Sequence, residues 1–72
     1  MPELPVVSGA EVIRTLESLG FRVVRQRGSH VMLRRNSDVC VVPLHREVKR
    51  GTLRGILRQA NVDIELFLSA LD

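Results

Sequence analysis

A turn between two apolar runs constrains this chain more than any other stretch. Residues 21–24 read Phe-Arg-Val-Val, residues 31–33 read Val-Met-Leu, and residues 26–30 read Gln-Arg-Gly-Ser-His between them. Gly and Ser between runs of β-type residues indicate a hairpin turn, because glycine adopts backbone angles that other residues resist. The sequence therefore predicts two antiparallel strands, with His30 at the start of the second.

A helix is predicted before this hairpin. Ser8 and Glu11 are spaced as a capping box, in which each side chain accepts a hydrogen bond from the other residue's backbone amide. Apolar residues then recur at helical spacing as far as Leu19, and Gly20 follows where a left-handed cap is needed. We predict a helix over roughly residues 9–19.

Three strands are predicted over residues 21–25, 30–35 and 39–43, with a turn at 36–38. Side chains alternate between the two faces of a strand. On the second strand, His30, Met32 and Arg34 therefore share one face. The apolar residues between them face the helices.

Two further helices are predicted after a polar connector at residues 44–50. Thr52 is a plausible N-cap for the first, and Asn61 can adopt the left-handed conformation that ends it. Asp63 is a plausible N-cap for the second. The apolar stripes of these helices are Leu53, Ile56, Leu57 and Ala60, and then Ile64, Phe67, Leu68 and Leu71.

This order predicts an α+β fold, α-β-β-β-α(-α), with a three-stranded antiparallel sheet and helices on one face. Seventy-two residues suffice for one domain. Within it, residues 1–7 carry two prolines and no periodicity, and we expect an extended arm. Residues 8–72 form the folded part.

Positive charge is concentrated in the middle of the chain. Residues 22–58 hold ten of the eleven Lys and Arg residues and only two acids, a net charge of +8 within a chain of net charge +3. Ten of the eleven are arginine, whose guanidinium matches phosphate oxygens in pairs. This distribution favours binding to a nucleic acid or another polyanion over a basic face kept only for solubility.

His30 is the residue in this basic segment best suited to acid–base chemistry, since a histidine titrates near neutrality. His45 is a possible second proton carrier or substrate contact. The alternatives are that His30 is an ordinary, partly exposed strand residue, that His45 has a structural or substrate-contact role, and that Ser29 only makes the turn. The candidate RNA or phosphate contacts are Arg25, Arg27, Ser29, Arg34, Lys49, Arg50, Thr52, Arg54 and Arg58.

Several function classes are disfavoured. No cluster of His, Cys, Asp and Glu has the spacing of metal ligands, so we expect neither a metal nor another cofactor. The single cysteine, Cys40, cannot form an internal disulfide. Both phenylalanines look like core residues, so RNA would be recognised mainly by backbone and shape. With no membrane span or secretory signal, we expect a cytoplasmic protein.

The chain also resembles the HicA toxin family, also called YcfA-like. The resemblance covers about residues 4–71, and its motifs are Ser8-Gly9, Leu19-Gly20-Phe21, Arg27-Gly28-Ser29-His30, Val42-Pro43-Leu44-His45 and Gly51-Thr52-Leu53-Arg54-Gly55-Ile56-Leu57. It implies a fold similar to double-stranded-RNA-binding domains. It also implies a toxin of a type II toxin–antitoxin pair that degrades mRNA, with its catalytic histidine at His30. The implied partner is a HicB-like antitoxin that covers the active face.

Two functional hypotheses follow. The first is a metal-independent endoribonuclease that cleaves mRNA and inhibits translation, with His30 as general acid or base. The second is a non-catalytic RNA-binding module that uses the same basic surface. Both predict RNA binding that weakens with salt. They differ in whether the bound RNA is cut.

Overall fold

Three helices and one three-stranded sheet form the described part of the chain, residues 3–71 of this computed structural model. The sheet order is β1-β2-β3, and both pairings are antiparallel. This confirms the predicted α+β class and element order. The elements are α1 (Gly9–Ser18), β1 (Arg22–Arg27), β2 (His30–Arg35), β3 (Asp38–Pro43), α2 (Arg50–Ala60) and α3 (Ile64–Ala70).

Helix α1 has both caps that its sequence predicts. Glu11 accepts from the Ser8 amide at 2.9 Å, and Ser8 Oγ accepts from the Glu11 amide at 3.1 Å. These hydrogen bonds lower the pKa of Glu11 below its ordinary value. At the other end, Gly20 has φ +101° and the Phe21 amide donates to the Leu16 carbonyl at 3.0 Å. This Schellman motif turns the chain into β1 and places Phe21 in the core.

The two hairpins are tighter than the sequence predicts. Strand β1 continues to Arg27, so the first turn contains only Gly28 and Ser29, with φ +59° at the glycine. The second turn is also short. Asp38 already pairs with Arg35, so β3 begins one residue earlier than predicted. These short turns fix the register of all three strands.

The core lies between the sheet and the helices. Helix α2 packs mainly against β3, while α1 contacts β1, β3 and α3. The opposite face of the sheet carries no helix within residues 3–71. The largest completely buried side chains are Phe67, Leu4, Leu16, Leu33, Leu53, Leu57, Val12, Val42, Val48 and Cys40.

The prediction that Thr52 is the N-cap of α2 is wrong. The helix begins at Arg50, and Lys49 is its N-cap, without a capping hydrogen bond from the side chain. The Leu53 amide donates to the Lys49 carbonyl at 2.9 Å, which closes the first turn. Tertiary contacts hold this turn, so no capping side chain is required there.

Those contacts come from the N-terminal segment. The Val48 amide donates to the Val7 carbonyl at 2.6 Å, and Arg50 Nε donates to the Leu4 carbonyl at 2.6 Å. Leu4 is fully buried and Val7 is nearly so. The segment 3–7 is therefore anchored beside the start of α2 by Leu4 and Val7, while Glu3 and Val6 are exposed. The other two residues of the expected arm lie outside the described residues.

The end of α2 agrees with the prediction, and the start of α3 agrees in part. Asn61 adopts the left-handed conformation, with φ +56° and ψ +40°. Asp63 occupies the N-cap position of α3, but its side chain makes no capping hydrogen bond. Phe67 is buried, while Ile64, Leu68 and Leu71 pack against the core at its edge. No helix between residues 3 and 71 is both long and apolar enough to cross a bilayer.

Candidate functional site

The helix-free face of the sheet collects the candidate catalytic histidine and several arginines. Residues that pair across antiparallel strands point to the same face. Residues on the other face, such as Val31, Leu33 and Val42, are buried against the helices. We call the helix-free side the open face. Its residues, in three rows across the sheet, are Arg27, His30 and Pro43; Arg25, Met32 and Val41; and Arg22, Arg34 and Val39.

A β-bulge places two of these arginines on the open face. Val23 pairs with Leu33 and Arg25 pairs with Met32, so Val24 has no partner on β2. If residues 22–27 instead alternated strictly from Arg22, with no bulge at Val24, Arg25 and Arg27 would point toward the helices. Bulges are common in edge strands and re-aim side chains in this way. The sequence carries one sign of the bulge, because Arg22, Arg25 and Arg27 do not fit a single alternation of period two.

His30 is exposed and stands at the turn end of the open face. It lines a shallow depression of about 200 Å³ together with Arg25, Arg27, Met32 and Val41. Arg27 is its direct cross-strand partner. No carboxylate lines this depression. An imidazole open to solvent can move a proton to or from a bound ligand. The guanidinium groups beside it can hold the negative charge of a phosphate.

His45 lies at the same end of the sheet, and its backbone is fixed. The Leu44 amide donates to the Ser29 carbonyl at 2.7 Å, which extends the β2–β3 pairing past Pro43. The His45 carbonyl accepts from the Gly9 amide at 2.9 Å. Gly9 lies so close to the Pro43 carbonyl that a Cβ would clash with it. The first residue of α1 is thereby locked to the segment that carries His45, whose side chain is exposed.

Two adjacent arginines of β2 have different surroundings. Arg34 is exposed on the open face, opposite Arg22 and two rows from His30. Arg35 points to the other face and has structural contacts. Its guanidinium donates to the Leu19 carbonyl at 3.0 Å, lies 4.6 Å from the centroid of the Phe21 ring, and is 3.9 Å from the carboxylate of Asp38. Of the two, Arg34 is therefore the one available to a ligand.

The basic residues of α2 form a second surface. None of the five candidate contacts at Lys49, Arg50, Thr52, Arg54 and Arg58 lines the depression at His30. Arg54 and Arg58 line a separate depression at the end of α2, beside Asp63. Arg50 is held by the Leu4 carbonyl. The predicted phosphate contacts thus divide between the open face and α2.

Two other groups with potential chemistry lie apart from this site. Cys40 is buried on the helix side of β3, and burial raises the pKa of its thiol to about 11. It is therefore a neutral core residue at physiological pH. Within the part of the chain that the structure describes, no group of three or more His, Cys, Asp or Glu side chains is arranged to hold a metal ion.

These features define a small α+β domain whose sheet has a cationic face, with a histidine at the start of the central strand. The family model described as the HicA toxin of bacterial toxin–antitoxin matches residues 9–62, from the first residue of α1 to the residue that follows the α2 cap. The chain belongs to the HicA toxin family. Membership implies a toxin of a toxin–antitoxin system, and hence an antitoxin partner. No curated protein matches the chain.

Proposed function

We propose that this toxin is a cytoplasmic endoribonuclease that cleaves mRNA without a metal ion and so inhibits translation. The observation that carries the proposal is the position of His30, exposed at the edge of a depression that also holds Arg25 and Arg27. Family membership supports the toxin role. The geometry supports the chemistry, because a proton carrier and two phosphate-binding groups meet on one face.

The reaction needs only groups of the RNA and of the protein. A base removes the proton from a ribose 2′-hydroxyl, and the 2′-oxygen attacks the adjacent phosphorus. The bond from phosphorus to the 5′-oxygen of the next nucleotide breaks, and an acid protonates that oxygen. The products are a 2′,3′-cyclic phosphate and a free 5′-hydroxyl. His30 serves as one of these two proton carriers.

The arginines stabilise the charge that develops on the phosphate. Arg27 is the direct neighbour of His30 across the hairpin, and Arg25 is in the next row. Guanidinium groups form paired, charge-assisted hydrogen bonds with phosphate oxygens. His45, at the same end of the sheet, is either the second proton carrier or a contact to the substrate. The α2 residues Arg54 and Arg58 hold RNA that extends beyond the open face.

A HicB-like antitoxin is the partner that we propose for this toxin. An antitoxin that covers the open face would exclude RNA from His30 and from the arginines at once. The face carries no acid among the residues described, so an acidic partner surface would complement it.

Induced expression of the chain tests the proposal in cells. We expect growth arrest and loss of intact mRNA with the natural chain, and neither with His30→Ala. His30 is exposed, so this variant should fold normally, which circular dichroism of the purified protein would check. Arrest by both proteins with intact mRNA would instead support an RNA-binding module without catalytic activity.

A further inference from the structure

The open face is cationic along its β1 edge and apolar along its β3 edge. Its β1 column is entirely arginine, and its β3 column is entirely apolar. Adjacent strands lie about 4.8 Å apart, so the two columns are separated by roughly 10 Å. Between them, β2 supplies His30, Met32 and Arg34. The apolar column consists of Val39, Val41 and Pro43.

This division matches the two sides of a single nucleic-acid strand, which are charged phosphates and weakly polar base faces. We propose that Met32 and the β3 column form a base-binding subsite for single-stranded RNA, whose phosphates lie along the β1 arginines. The inference rests on the proposed function for its choice of RNA as ligand. It adds a defined position for the bases, beyond contacts to the backbone.

Charge and the arrangement of the columns favour single-stranded RNA as the occupant. Arg22, Arg25 and Arg27 attract a polyanion, and no acid of the described chain stands on this face. A duplex keeps the faces of its bases stacked inside, so it would present only sugars and groove edges to the apolar column. A single strand can turn its base faces onto Val41 and Met32 while its phosphates reach the arginines.

The middle row connects this subsite to the catalytic position. Met32 and Val41 are direct cross-strand partners, and both line the depression that contains His30. Successive rows are two residues apart, or about 6.8 Å along the strands. A base over the middle row therefore belongs to a nucleotide beside the phosphate at His30. Aliphatic side chains such as these would stabilise a bound base by apolar contact with its face, without aromatic stacking.

Binding to abasic RNA tests the subsite. The probes are a short single-stranded RNA, an abasic ribose-phosphate strand of the same length, and the matching RNA duplex. All proteins carry His30→Ala, so that no probe is cut, and the protein with this substitution alone is called the parent. We expect the parent to bind the single strand about fivefold more tightly than the abasic strand, a smaller effect than aromatic platforms give. We also expect it to prefer the single strand to the duplex.

Substitutions on the two faces of the sheet supply the control. Val41→Thr and, separately, Val39→Thr keep a β-branched side chain but make it polar, and each should reduce the preference for bases while abasic binding is unchanged. Val23→Thr makes the same change at an exposed valine of β1 that pairs with Leu33, off the open face, and should retain the full preference.

Equal binding of base-containing and abasic strands by the parent would overturn the inference, and would leave the apolar column as a surface for a protein partner. A preference unchanged in both Val41→Thr and Val39→Thr would overturn it as well. A different result would overturn the proposed function. If the natural chain with His30 does not cut RNA while the base preference is present, only the catalytic proposal is lost.

Discussion

Arg27 and His30 are direct cross-strand partners at the closed end of the β1–β2 hairpin. Only the two residues Gly28 and Ser29 separate them along the chain. A turn this short holds the two backbones in fixed register. The pairing joins the proposed proton carrier to a proposed phosphate-binding group, and the two-residue turn sets its register.

Arg27→Ala should therefore reduce RNA cleavage more than a general loss of charge would. We expect kcat/KM to fall about tenfold to a hundredfold, since the guanidinium contacts the charge that develops on the phosphate. Arg14→Ala is the matched control, because it removes the same charge from an exposed position on α1. Equal losses in the two variants, measured with one RNA at one salt concentration, would show that only net charge matters.

Deletion of Val24 should be tolerated. The bulge residue has no partner on β2, so its removal leaves Arg25 opposite Met32 and Arg27 opposite His30. We expect a folded protein that binds RNA with nearly the natural affinity. Deletion of Gln26 should instead move Arg25 opposite Val31 and turn it toward the helices. Circular dichroism and RNA titration compare the two, and similar binding by both would contradict the assigned register.

Gly9 and Gly55 should respond oppositely to alanine. A Cβ at Gly9 would clash with the Pro43 carbonyl, so Gly9→Ala should destabilise the fold and disturb the segment that carries His45. A Cβ at Gly55 meets no atom within 4 Å, and Gly55→Ala should stabilise α2 by about 1 kcal/mol. Urea unfolding measures both. If the natural glycine at position 55 admits a close phosphate, the alanine variant will be more stable but will bind RNA more weakly.

Arg50 should contribute to stability as well as to charge. The Arg50 Nε donates to the carbonyl of buried Leu4. Arg50→Ala removes this hydrogen bond and should lower the free energy of unfolding by about 1 kcal/mol. Arg54→Ala is the control, since Arg54 is an exposed residue of the same helix. Unfolding curves that coincide for the two variants would indicate that the hydrogen bond to Leu4 adds nothing.

Local signals account for the parts of the fold that the sequence predicts well. The caps of α1 use residues within a few positions of each other, so Ser8, Glu11 and Gly20 identify its ends. The start of α2 has no such signal. It is set by Leu4 and Val7, more than 40 residues earlier in the chain, and Thr52 was a misleading local candidate.

The same distinction applies to the candidate site. Alternation along β2 correctly assigns His30, Met32 and Arg34 to one face, because this central strand pairs regularly on the β3 side. Strand β1 requires knowledge of the bulge, which arises from pairing and not from composition. The apolar column of β3 can also be identified only from the strand register, because the sequence of that strand is apolar almost throughout and shows no alternation.

The most direct test of the catalytic assignment is cleavage of a short RNA by the purified chain in the presence of a chelator. We expect cutting by the natural protein with a 2′,3′-cyclic phosphate product, no cutting by His30→Ala, and no cutting when the 2′-hydroxyl at the scissile position is replaced by hydrogen. RNA binding by His30→Ala should persist, because the arginines remain. Undiminished cleavage by His30→Ala would contradict the assignment of His30 as a proton carrier.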